Sequence, residues 1–154
     1  MYAAAADITG IEVFDNQIFL GLGESTAYVY SDAGDATTWN GASGSGNKAN
    51  YFAKTLNVNG NWAMAKTLND DDVHLTADPT GTPVYGTAIE VGKDDGAITN
   101  IYNLEGSLAI GKEDGLYRYS YHYGNRFYNV YEGAGAAVDP NNFSRGLNWN
   151  GWFY

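Results

Sequence analysis

The stretch ITNIYNLEG (Ile98–Gly106) is one of four copies of a single nine-residue phrase. The others are ITGIEVFDN (Ile8–Asn16), FAKTLNVNG (Phe52–Gly60) and FSRGLNWNG (Phe143–Gly151). The last residues fall at 16, 60, 106 and 151, so the spacing is 44, 46 and 45 residues. The first place is always Ile or Phe, and the seventh is large and apolar: Phe14, Val58, Leu104, Trp149. The phrase closes on Asp-Asn, Asn-Gly, Glu-Gly and Asn-Gly. Asn-Gly and Asp-Asn between apolar runs signal a two-residue hairpin turn, because both central residues need positive φ and Gly or Asn tolerates it.

A second extended run follows each complete phrase: Gln17–Gly21, Asn61–Ala65 and Ser107–Gly111. Beyond a polar turn comes an alternating, β-rich third run: Ala27–Ser31, Val73–Ala77 and Leu116–Ser120. A fourth appears near Trp39, over Gly86–Val91 and over Arg126–Tyr131. Four short antiparallel strands at this period describe a β-propeller blade. A helical reading fails, since no segment keeps an i, i+3, i+4, i+7 apolar stripe and the 20 glycines would each oppose a helix interior. The fold expected is all-β: propeller blades covering about 8–47, 48–97 and 98–142, and part of a fourth over 143–154, in one domain spanning 1–154. A lone blade exposes two apolar faces and is stable only when stacked on neighbours. The stacking positions expected are Ile8, Phe52, Ile98 and Phe143 together with Phe14, Val58, Leu104 and Trp149.

Three complete units and a part fall short of the four blades a closed ring usually needs. Tyr2–Ala6 is long enough to serve as one outer strand of the fourth. Three arrangements follow: a piece of a longer propeller, copies that associate to complete a ring, or a strand lent by a partner. The sequence favours the first, because the Tyr154 end stops mid-phrase without a polar cap. An end carrying Trp149, Trp152, Phe153 and Tyr154 is also an assembly-edge candidate, since open strand edges and apolar area favour association.

Composition narrows the function. The 154 residues are 44% apolar and 15% aromatic, enough for one core. Cysteine is absent, which excludes disulfides, Cys-ligated zinc and a thiol nucleophile. No apolar run reaches 18 residues, so membrane insertion is not expected; MYAAAAD has no positive n-region and is not read as a secretory signal. Net charge is −10 with eight Lys and Arg, a field that repels phosphate, so nucleic acid is not an expected partner. Low Lys with abundant Asn, Gly and Tyr has the look of extracellular and virion β-proteins.

Few residues carry chemistry. His74 and His122 form no metal-binding spacing, and Ser43 and Ser45 lie in the glycine-rich Gly41–Asn47 connector rather than a nucleophile elbow. Acidic turns recur at Glu24, Asp70-Asp71-Asp72, Asp94-Asp95 and Glu113-Asp114. The Asp70–Asp72 group could offer oxygen ligands to Ca²⁺, but it lacks EF-hand spacing, and a solvated turn is the preferred reading; no cofactor is expected. Tyr117, Tyr119, Tyr121 and Tyr123 alternate along one face of the third unit. Such a face either stacks on sugar rings or packs between blades, the second being favoured because Tyr suits half-buried strands.

Ser120–Phe127 fits the Asp-box spacing S-x-D-x-G-x-x-[WF] with His122 in place of Asp, and Ser31–Trp39 and Thr76–Gly81 are looser versions. These resemble the degenerate Asp-box turns of sialidase-like propellers, where the box is structural. A sialidase itself is not expected: three arginines (Arg118, Arg126, Arg145) and three blades do not surround a substrate. Leu104–Ser120 also resembles a repeat of uncharacterised tailed-phage and environmental viral propellers. That resemblance implies a non-enzymatic structural or attachment propeller, in a virion or outside the cell, with structural proteins, copies of itself or a cell-surface glycan as partners. The alternative is a lectin-like or glycan-processing propeller.

Overall fold

The structure, a computed structural model, describes residues 7–24, 26–44, 46–57, 59–68, 71–92, 97–104, 106–112, 115–120, 126–131, 148–149 and 152–153. For 115, 120, 126–131, 148–149 and 152–153 it describes the backbone alone. The chain is all-β and contains three antiparallel sheets, each a simple meander. The first sheet runs β1 (Gly10–Phe14), β2 (Gln17–Gly21), β3 (Val29–Asp32), β4 (Asp35–Gly41). The second runs β5 (Tyr51–Leu56), β6 (Trp62–Thr67), β7 (Asp72–Thr76), β8 (Ile89–Glu90). The third runs β9 (Ile98–Leu104), β10 (Ser107–Lys112), β11 (Gly115–Ser120), β12 (Arg126–Tyr131). A separate hairpin pairs β13 (Asn148–Trp149) with β14 (Trp152–Phe153). The strand proposed for Tyr2–Ala6 lies outside the described residues.

Turn chemistry sets the register of each first hairpin, and it differs between units. In the first sheet Phe14 pairs with Gln17 across Asp15 (φ 46°) and Asn16 (φ 63°), the double positive φ of a type I′ turn. In the third, Leu104 pairs with Ser107, leaving Glu105 and Gly106 between them. The second departs from expectation: Leu56 pairs with Trp62, so residues 57–61 form a five-residue loop rather than a two-residue Asn-Gly turn. Asn57 is the reason. Its Oδ1 accepts the backbone N–H groups of Asn59 (2.9 Å) and Asn61 (3.1 Å), so the side chain closes the loop before Asn59-Gly60 can.

Register in the first sheet corrects one expected stacking position. Phe52 faces Lys66 across the first hairpin, and Ile98 faces Lys112; both are buried. In the first sheet Gly10 pairs with Gly21, and the next residue outward, Thr9, donates its N–H to Gly21 O. Thr9, not Ile8, therefore holds the equivalent place, and Ile8 is 54% exposed. Strand side chains alternate faces, so a one-residue slip moves a residue from core to solvent. Phe14 is buried and Leu104 half-buried. Val58 and Phe143 lie outside the described residues, and of Trp149 only the backbone is described.

The sheets stack in chain order through their first strands: β1 lies against β5, β5 against β9, and β9 against β13. Between the first and second sheets, Phe14, Phe19 and Tyr28 meet Phe52 and Met64. The rings of Phe19 and Tyr28 approach Phe52 edge-on, with centroids 6.1 and 5.0 Å away. Between the second and third, Tyr51, Ala53, Ala65 and Val73 meet Ile98, Ile101, Leu108 and Ile110. Burying each large apolar side chain contributes about 1.5–3 kcal/mol, which is what a single thin sheet lacks.

Candidate functional site

The tyrosine face divides. Tyr117 is buried against the backbone of Gly92, where a Cβ would sit 2.6 Å from the ring, and Tyr119 is fully buried. Both belong to the core between the second and third sheets, so neither offers a free ring face to a sugar, and burial raises the Tyr119 phenol above its ordinary range. This is the packing role of the two readings open in the sequence. The physical cause is register: Tyr117 pairs with Ile110 and Tyr119 with Leu108, which places both on the face that meets the second sheet. Tyr121 and Tyr123 lie outside the described residues.

At the aromatic end, Trp149 pairs with Trp152 in the β13–β14 hairpin, and Tyr154 lies outside the described residues. Of the acidic turn, Asp70 is also outside them. Asp71 gives its carbonyl to Val91 N at 2.8 Å, and Asp72 pairs with Glu90 in the sheet. Among the described residues no three His, Asp or Glu side chains converge as a metal site.

The Asp-box-like turns act on the backbone. Asp78 Oδ1 accepts Thr80 N (2.9 Å) and Thr80 Oγ1 (2.6 Å), while Thr76 Oγ1 donates to Val84 O (2.8 Å). This turn begins the long connection 77–88, which is seated on the first sheet. Tyr28 OH donates to Pro79 O (2.6 Å), Gly81 N donates to Tyr30 OH (2.8 Å), and Ser43 N donates to Gly81 O (2.9 Å). The glycine-rich connector is thereby fastened at Ser43. In the first unit Ser31 Oγ accepts Ile18 N at 3.0 Å, and Asp32 Oδ1 accepts Asn40 Nδ2 at 2.6 Å.

The joints between first strands hold the polar residues that sequence reasoning missed. Glu12 of β1 accepts Lys54 N of β5 at 3.1 Å and Val13 N at 2.8 Å. Burial raises its carboxyl above the ordinary carboxylate range, against the pull of those two N–H groups and of the Lys54 charge. One joint further on, Leu56 N and Thr55 Oγ1 both donate to Gly106 O, and Asn103 Nδ2 donates to Lys54 O. Lys66 and Lys112 occupy the same place at the ends of β6 and β10. Lys66 Nζ donates to Lys48 O (2.7 Å), in the chain leading into β5, and Lys112 Nζ to Val91 O (2.6 Å), the residue that follows β8. Their ammonium groups stand 4.6 Å from the Tyr85 ring and 5.8 Å from the Tyr117 ring. The signal was present: the two lysines recur at the repeat spacing, 66 and 112.

An open cleft of about 340 Å³ lies over the outer part of the second sheet, lined by Asn57, Ala63, Leu75, Thr76, Ala77, Gly86, Thr87 and Ile89. Its lining offers hydroxyls, a carboxamide and small apolar groups. Among the described residues its lining provides no carboxylate or imidazole for proton transfer and no ring for stacking. No protein-family model matches the chain, and no curated protein matches it in sequence.

Proposed function

We propose that the chain is a non-enzymatic β-propeller module: three blades of a ring and the opening hairpin of a fourth, serving as a structural or attachment part of a phage virion. The observation that carries this reading is the chain-order stacking of three meanders, β1 on β5 on β9, with buried apolar contact at both joints. Such stacking makes a stiff body. The turns are braced by their own Asn, Asp and Thr side chains, as at Asn57 and Asp78, so they are presented in fixed shapes to a partner protein. The viral assignment rests on the likeness of Leu104–Ser120 to viral propeller repeats. Mass spectrometry of purified particles from the source phage tests it. The chain recovered at fixed copy number per particle supports the role; its absence from particles, or turnover of a glycan by the purified chain, overturns it.

A further inference from the structure

Asn-Gly occurs three times in the chain: Asn40-Gly41, Asn59-Gly60 and Asn150-Gly151. The fold holds the first two in different ways, and the third lies outside the described residues. Asn40 and Gly41 belong to β4, paired with Tyr30 and Val29, and Asn40 Nδ2 donates to Asp32 Oδ1 at 2.6 Å. Asn59 and Gly60 are exposed in the five-residue loop between β5 and β6. That loop is clasped by Asn57. Asn57 N donates to Asn61 O (2.8 Å) and Gly60 N to Asn57 O (2.9 Å). Asn57 Oδ1 accepts Asn59 N and Asn61 N. None of these bonds uses the Asn59 carboxamide, so its Cγ stays open to attack from the neighbouring backbone nitrogen.

We propose that Asn59 is a site of spontaneous covalent modification, with water as co-reactant and the Asn57 clasp setting its pace. Gly60 N, once its proton passes to solvent, attacks Asn59 Cγ; the glycine has no Cβ to crowd the approach. The new C–N bond closes a five-membered imide, and the Cγ–Nδ2 bond breaks, releasing ammonia. Water then opens the imide at either carbonyl. One opening leaves Asp at 59; the other leaves an isoaspartyl link that carries the backbone through Cγ. Nothing is oxidised or reduced, and either product adds one carboxylate to the loop. Gly60 N is competent only while its bond to Asn57 O is open, so the rate follows local opening of the loop. At Asn40 closure is opposed twice. The carboxamide is tied to Asp32, and pairing with β3 holds the backbone extended, away from the geometry the imide needs.

The test is to age the full chain in warm, mildly alkaline buffer and follow each Asn-Gly peptide by mass spectrometry, with isoaspartyl residues counted by enzymatic methylation. The same chain in denaturing urea gives the intrinsic rate of each site. In the folded chain Asn59 is expected to convert about tenfold or more faster than Asn40, the two rates converging in urea. Asn57→Ala is expected to speed Asn59 several-fold while Asn40 is unchanged. Asn57→Asp, which keeps an Oδ1 acceptor, is expected to stay near the wild-type rate. Asn40 keeping pace with Asn59 in the folded wild type overturns the proposal. So does an Asn59 that stays intact while the urea sample converts. An Asn59 rate indifferent to Asn57→Ala, or an Asn40 that accelerates with it through opening of the whole chain, overturns the role of the clasp.

Discussion

Gly10 and Gly21 pair with each other across β1 and β2, and both press on the chain entering β5. A Cβ at Gly21 would lie 2.6 Å from Asn50 O and 2.9 Å from Ala49 O; one at Gly10 would lie 2.5 Å from Asn50 O. The obstacle is backbone, which has no rotamer to escape through. Gly21→Ala is therefore expected to destabilise by about 1–3 kcal/mol in urea denaturation. Gly41→Ala, where nothing lies within 4 Å, is expected to stay within about 0.5 kcal/mol. Burial pushes the phenols of Tyr28 and Tyr51 up to about 12. An unfolded tyrosine ionises near 10, so between these values the unfolded chain releases protons that the folded one keeps. Their contribution is whole below about pH 10 and is lost as pH rises towards 12. Urea midpoints at about pH 8, 9.5 and 11 are expected to fall at the last step, and less steeply in Tyr28→Phe.

Among the elements, the meanders were legible because hairpin chemistry is local. Asp15-Asn16 specified its turn unaided, and β2 runs over Gln17–Gly21 as the alternation implied. The second unit was harder to read. Its Asn59-Gly60 pair is a good turn in isolation, but a carboxamide two residues earlier captures the N–H groups first. Its last strand was expected over Gly86–Val91 and pairs only at Ile89–Glu90, since the preceding connection is bonded to the first sheet. Nothing in the sequence around Pro79 announces a partner some fifty residues away. Asn57→Ala is expected to cost about 1–2 kcal/mol by freeing two loop donors, read as a lower denaturation midpoint. Of the candidate site residues, Tyr117 and Tyr119 share one face, and strand alternation alone does not say whether that face meets solvent or another sheet.

For the whole molecule, the central claim is that the sheets are stable only together, each burying the flank of the next. Period and composition made the units visible; the joints between them depend on contacts distant in sequence, which is why Glu12, Lys66 and Lys112 went unread. Ile110 is fully buried in the joint between the second and third sheets. Ile110→Ala should cost about 2–5 kcal/mol, and under mutual burial that loss is shared. The direct measurement is amide hydrogen exchange, strand by strand, in the wild type and Ile110→Ala. The claim predicts that protection falls together in β2, β6 and β10. Loss confined to β10, with β2 and β6 as protected as before, would contradict it.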